Sequence, residues 1–258
     1  MTASEFASRM RRRERLIGYW SVLDCPVAHE WLAYVGYDYL ALDLQHGLIG
    51  YSGMVAGLTA VDAARGPVGM VRVEANDPTP IGRALDAGAA GVIVPLVNTA
   101  AEAASAVAAA TYPPAGIRSY GPMRAQLRIG PTPAVANNDT VVLAMIETPQ
   151  GLANVEEICA TEGLTGVYVG PSDLRIAVGG AHSQDPAVDD EFEAALVRVR
   201  EAAAAAGIAA GIHTPDGATA SRRLGEGYTF ASVASDLTHL KIAAAAHLKA
   251  ANDEPGGS

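Results

Sequence analysis

Eight short runs rich in β-branched and apolar residues alternate with eight longer, mostly Ala-rich segments along this chain, and few folds satisfy that rhythm. The strand candidates span 17–23, 39–44, 68–73, 92–96, 141–147, 167–169, 209–213 and 229–233. Between and after them fall helical candidates at 28–35, 52–64, 79–87, 100–110, 150–160, 186–206, 216–224 and 237–250. Alternating strands and helices build a parallel sheet, and eight of each is the count of a (β/α)8 TIM barrel, here read as one domain over 1–258. Gly36, Gly66, Gly88, Gly163, Gly207 and Gly225 each follow a helical candidate, where a residue of positive φ would end the helix. The tract AEAASAVAAA is low in complexity, but alanine's helix propensity makes it a barrel helix rather than a disordered stretch.

One segment breaks the rhythm. Residues 111–138, rich in Pro and Gly, are too long for an ordinary connection, and loops of that size are usually functional or mobile. A flexible tail is expected at 251–258. The basic run RMRRRER at 9–15 reads as a solvated first helix. With a formal net charge of −10, the chain lacks the basic face of a nucleic-acid binder. No stretch is apolar enough to span a membrane and no apolar signal core stands near Met1, so a cytoplasmic location is expected. Cys25 and Cys159 are too few for a disulfide framework or a zinc site, and a small buried thiol is the expected role of Cys25.

In a TIM barrel the chemistry sits where strands end. The polar residues at the expected ends are Asp43, Gln45 and His46 after the second strand, Arg72 and Glu74 at the third, Glu147 at the fifth, Asp173 after the sixth and His213 at the seventh. Any one of them could be structural; together they converge on one cavity. Glu147 and Asp173 suit a hard divalent cation that keeps positions open for a chelating 2-oxo acid, unless they simply pair with arginines. His46 is the best acid/base candidate, oriented by Asp43 or another carboxylate. Arg72 offers a fixed positive fork for a carboxylate or enolate oxygen, and Arg118 could bring a second from the long loop. The turn Gly170-Pro171-Ser172-Asp173 could hold a substrate carboxylate on its amides. His29, His239, His247 and His182 are assigned to packing or surface.

The segments DLQHG, VRVEANDP, ALDAGAAGVIVPLV, YPPAGIRSYGP, IETPQGLANVEEI and GVYVGPSDL, with the order of His46, Arg72, Glu147 and Asp173, resemble the HpcH/HpaI aldolase family. These are metal-dependent class II pyruvate aldolases of the phosphoenolpyruvate/pyruvate barrel superfamily, grouped with citrate lyase β-like proteins. The resemblance runs from about residue 18 to 246. It implies that Glu147 and Asp173 bind a divalent ion (Mg²⁺, Mn²⁺ or Co²⁺), that Arg72 stabilises the enolate, and that His46 is the acid/base acting through a metal-bound water. Asp86 resembles the aspartate that partners such a histidine from a neighbouring subunit, and Ser172 the residue whose amide holds the substrate carboxylate. A homohexamer, a trimer of dimers with an exchanged C-terminal helix, is implied as well. Three positions depart from the pattern: Leu44-Gln45-His46 replaces Gly-Glu-His, Met145 replaces a common glutamine, and His213 stands where an apolar residue is usual, which bears on acceptor choice.

Aldolases hold their carbanion either as a lysine imine or with a metal Lewis acid. Sixteen of the 18 basic residues are arginine; the two lysines, Lys241 and Lys249, fall in the last helix, where no strand presents them to the cavity. The expected function is therefore metal-dependent cleavage of 4-hydroxy-2-oxo acids to pyruvate or hydroxypyruvate plus an aldehyde, with small molecules as partners and neither nucleic acid nor membrane. Two alternatives stay open: a CoA-thioester lyase of the malyl- or citryl-CoA kind, and a catalytically silent barrel that binds a metal and an oxo acid.

Overall fold

Each expected strand forms, and each pairs in parallel with the next until the eighth returns to the first. The computed structural model describes residues 1–253; the last five residues of the expected tail lie outside them. The order is α1 (Ala3–Arg11), β1 (Leu16–Ser21), α2 (Pro26–Ala33), β2 (Tyr39–Asp43), α3 (Tyr51–Ala63), β3 (Val68–Arg72), α4 (Pro78–Asp86), β4 (Gly91–Val94) and α5 (Ala100–Ala110). Then come α6 (Pro133–Asp139), β5 (Val141–Ile146), α7 (Pro149–Ala153), α8 (Val155–Cys159), β6 (Gly166–Val169) and α9 (Pro171–Ala177). The chain ends with α10 (Asp189–Ala206), β7 (Ala209–Thr214), α11 (Gly217–Gly225), β8 (Phe230–Ser235) and α12 (Asp236–Asn252). The barrel is closed, β8 pairing with β1 at Leu16↔Phe230 through Tyr19↔Val233.

Two apolar layers hold it. Between strands and helices lie Leu42, Val71, Val92, Ala144, Val167, Ala210 and the buried faces of α3, α5 and α10. Inside the barrel a second cluster joins Tyr39, Met70, Ile93, Leu143, Met145, Tyr168 and Phe230 to Phe6 and Met10. The first helix is thus only half what the sequence suggests. Its arginines face outward or pair, Arg9 with Asp38 at 2.9 Å, while Phe6, Ala7 and Met10 are buried against the barrel interior.

Side chains of N-cap residues start six helices: Thr2, Asp77, Thr99, Thr148, Asp216 and Ser235 each accept a backbone N–H from the first turn. Helix ends differ in detail from expectation. Gly36, Gly88, Gly163 and Gly207 do take positive φ, but beside Gly66 that role falls to Arg65, and Gly225 is still helical, with Gly227 turning the chain. The expected helix at 150–160 breaks at Asn154 into α7 and α8, and α9 was not expected at all. The long segment 111–138 contains a 3₁₀ turn at Ala125–Leu127 and the start of α6, and it is pinned rather than loose: Arg124 and Arg128 both reach Asp62, and the Asn137 amide bonds Tyr112 N–H and C=O. Cys159 is buried, but Cys25 is exposed, because it lies at the start of α2 beyond the end of β1 rather than within the strand.

Bulky rings fill the barrel only because their neighbours on the adjacent strand are glycine. Phe230 of β8 lies beside Gly211 of β7, where a Cβ would sit 2.0 Å from the ring, and Tyr39 of β2 lies likewise against Gly18 of β1 at 2.1 Å. Gly211→Ala should therefore destabilise the fold by about 1–3 kcal/mol or more through overpacking. Urea denaturation followed by circular dichroism measures it; a wild-type midpoint would show that the Phe230 ring is not held there.

Candidate active site

A pocket of about 170 Å³ opens at the C-terminal ends of the strands, lined by Trp20 from β1, His46 after β2, Arg72 from β3, Met145 from β5, Tyr168 from β6, the segment Gly170 to Asp173, and His213 from β7. Of the strand-end residues read from the sequence, His46, Arg72, Asp173 and His213 line it; Glu147 lies just behind Gly170, and Asp43, Gln45 and Glu74 are not in the lining.

Asp43 and Arg72, on neighbouring strands in register, form a buried two-point ion pair: Arg72 Nε donates to Asp43 Oδ1 at 2.8 Å and a terminal guanidinium nitrogen to Oδ2 at 2.5 Å. The same carboxylate accepts the Trp20 indole N–H at 3.3 Å and the backbone N–H groups of Gln45 and His46 at 3.0 and 3.2 Å. Burial alone would raise the Asp43 carboxyl, but the hydrogen bonds and charge of Arg72 outweigh it and hold it below the usual carboxylate range. The expectation that Asp43 orients the His46 ring is corrected here. Asp43 fixes the backbone of that turn and aims Arg72, because the strand register sets its carboxylate against the guanidinium.

Glu147 follows β5 and is buried. Its Oε1 accepts the Leu96 N–H at 2.8 Å, and Leu96 holds that amide in place from a left-handed backbone conformation, φ +55°, uncommon for leucine. Its Oε2 faces Gly170 so closely that a Cβ there would come within 2.6 Å. Burial pushes the Glu147 carboxyl upward, the Leu96 amide opposes this, and the charge of Asp173 adds to the rise. Asp173 stands exposed in the first turn of α9, and neither acid forms an ion pair with an arginine among the described residues, so the pairing alternative for them falls away. No group of three or more metal-ligating side chains occurs among the described residues. A buried, undercompensated carboxylate beside a second one, with glycine leaving room at its free oxygen, fits a hard cation that takes its remaining ligands from substrate and water.

His46 is exposed at the pocket mouth. His213 sits edge-on to Trp20 at 5.4 Å, and burial, with the Arg72 charge adding, pushes its imidazole down to about 4, so it is neutral at pH 7. Gln45 Oε1 is buried without a partner, and Met145 lines the pocket wall. Pro171 and Ser172 line it too, at the start of α9. Asp86 and Arg118 do not enter this pocket. They pair with each other at 2.7 Å, with Arg118 stacked on Tyr112 at 4.5 Å, because Asp86 ends a helix outside the strands. Glu74 is exposed and lines a separate groove with Arg83. Trp20, Tyr168 and Leu96 are the residues that sequence reasoning missed. A list of polar strand ends passes over aromatic walls, although Trp20, one of only two tryptophans, marks the end of β1.

A closed parallel barrel with titratable side chains gathered at its strand ends has the layout of a barrel enzyme. The HpcH/HpaI aldolase/citrate lyase family pattern matches residues 16–243, and the chain belongs to that family. It is 42% identical over 229 residues to a hydroxypyruvate/pyruvate aldolase of Rhizorhabdus wittichii, covering 87% of this chain and 89% of that one. To a 5-keto-4-deoxy-D-glucarate aldolase of Shigella dysenteriae it is 37% identical over 238 residues, 91% of each chain. A solved structure of a family member from Burkholderia cenocepacia superposes with TM-score 0.87 at 32% identity, covering 97% of this chain and 100% of that one. These relatives favour neither the CoA-thioester lyase nor the silent barrel.

Asp43→Asn leaves a buried guanidinium without its counter-charge, so stability should fall by about 3–5 kcal/mol. Equilibrium unfolding in urea reads this directly, and a loss below about 1 kcal/mol would place the guanidinium in water instead.

Proposed function

We propose that the chain is a divalent-metal-dependent class II aldolase that reversibly cleaves a 4-hydroxy-2-oxo acid into pyruvate or hydroxypyruvate and an aldehyde. The observation that carries this reading is that His46, Arg72 and Asp173 line one strand-end pocket while the buried Glu147, with no arginine paired to it among the described residues, lies behind Gly170 of its wall. Neither lysine supports the imine route, since both lie on α12 and none lines the pocket. Glu147 and Asp173 would hold the ion, Mg²⁺, Mn²⁺ or Co²⁺, which when bound supplies a Lewis acid for the oxo-acid oxygens.

The rest falls to the chain's own side chains. The Ser172 amide, next to Pro171, would hold the substrate carboxylate. Arg72, aimed by Asp43, places fixed positive charge where the C2 oxygen becomes negative. In the cleavage direction the His46 imidazole takes the proton of the C4 hydroxyl; the freed oxygen pair forms the aldehyde C=O, and the electron pair of the breaking C3–C4 bond enters the C2–C3 enolate as the aldehyde leaves. The imidazolium then returns the proton to C3. Gln45 and His213 complete the proposed substrate contacts, His213 as a neutral group; Arg118, held with Asp86 outside its own pocket, would reach substrate only in the pocket of a neighbouring subunit.

Assembly into a homohexamer with an exchanged C-terminal helix belongs to the same proposal. Exposed Leu237, Leu240, Ile242 and Leu248 along α12 support it, as does the placement of Asp86 outside its own pocket, available to the His46 of a neighbouring subunit. A cytoplasmic location is proposed with it; no helix among the described residues is long and apolar enough to cross a membrane.

Exhaustive treatment with EDTA should abolish aldol cleavage, and Mg²⁺, Mn²⁺ or Co²⁺ should restore it; full activity in chelated protein would sink the metal reading. His46→Ala should lower proton exchange at pyruvate C3 about 10²–10⁴-fold while pyruvate still binds, as followed by deuterium incorporation in NMR. Unchanged exchange would remove His46 from the mechanism.

A further inference from the structure

Glu147 owes its aim to the turn after β4, and that turn owes its shape to Asn98. The Leu96 N–H donates to Glu147 Oε1 at 2.8 Å from a left-handed backbone, φ +55°. Left alone, a leucine would return to negative φ, which L-residues strongly prefer, and its N–H would swing off the carboxylate. The Asn98 side chain prevents this: its Nδ2 donates to the Leu96 C=O at 2.8 Å and closes a short ring across the turn.

Asn98 is itself fixed at every polar atom. Its Oδ1 accepts the hydroxyl of Thr148, the residue that follows Glu147 in the chain. Its backbone N–H donates to Glu102 Oε2 at 2.6 Å, and its C=O accepts from Asn154 Nδ2 at 2.8 Å. The Thr148 oxygen in turn accepts the Gly151 N–H at 2.9 Å, which ties the start of α7 to the same point. Only glycine permits so close an approach, because a Cβ on residue 151 would stand 2.7 Å from the Val97 C=O. One half-buried amide thus bridges the turn after β4 to the end of β5, the two sides of the Leu96–Glu147 hydrogen bond.

That bridge bears on how a cation would be held. With Oε1 taken by the Leu96 amide, Oε2 is the oxygen turned toward Gly170 in the pocket wall. A carboxylate already fixed in this way presents its oxygen without first losing rotamer freedom; released from Leu96, it would have to be ordered at each binding event.

We propose that Asn98 is a positioning residue for the divalent-ion site: through the Leu96 turn and Thr148 it sets how tightly Glu147 and Asp173 hold the ion. This rests on the metal-dependent reading and deepens it, since Asn98 does not line the pocket.

Mn²⁺ alone, titrated into the metal-free protein and followed by the free-ion signal in electron paramagnetic resonance, tests it. Asn98→Ala should weaken Mn²⁺ binding about 10–100-fold. Thr148→Val, which keeps the shape of the side chain and loses its hydroxyl, should weaken binding as well, while Thr148→Ser, which keeps the hydroxyl, should bind as wild type. At saturating Mn²⁺, Asn98→Ala should recover most of the wild-type proton exchange at pyruvate C3, a split between ion affinity and turnover that a general loss of packing would not produce. Urea unfolding of the metal-free variants separates lost fold from lost ion affinity. Wild-type Mn²⁺ affinity in both Asn98→Ala and Thr148→Val overturns the role of Asn98 and leaves the metal reading standing. Wild-type protein that takes up no Mn²⁺ defeats the metal reading and this inference with it.

Discussion

The buried pair of Asp43 and Arg72 organises the mouth of the barrel. One carboxylate ties together β2, β3, the indole of Trp20 on β1 and the backbone of the turn that carries His46. A lone charge at that depth would be costly. Paired and bonded through several donors, it becomes a rigid origin from which the guanidinium, the histidine turn and the aromatic wall are all measured. Trp20 extends the frame sideways, stacking on Tyr168 at 5.6 Å and meeting His213 on its edge.

The barrel was legible because period and count are properties of the chain alone. Strands 39–44 and 68–73 announce themselves by apolar runs closed by polar ends, and both form within a residue of expectation. Roles within the site were less legible. Asp43 reads equally as a base's partner or a guanidinium's, and only the register of β2 against β3 decides. Glu147 and Asp173 could have been neutralised by any of sixteen arginines; that they are not is a fact of three-dimensional placement. Leu96 could not be found at all, since its contribution is a backbone N–H, and every non-proline residue carries one.

The electrostatics run against the molecule's overall sign. The sequence carries a formal charge of −10, yet the pocket must receive an anionic oxo acid. Positive potential must therefore be local, and Arg72 supplies it, the one guanidinium lining the pocket among the described residues.

The left-handed turn at Leu96 carries a further implication for anyone seeking a hardier version of this protein. Backbone held in a thinly populated region costs free energy, and a glycine there would relieve it. The same relief would loosen the one amide that fixes Glu147. At this position robustness and precision pull apart, so sequence changes chosen for heat tolerance alone would drift toward a well-folded barrel with a poorly aimed carboxylate.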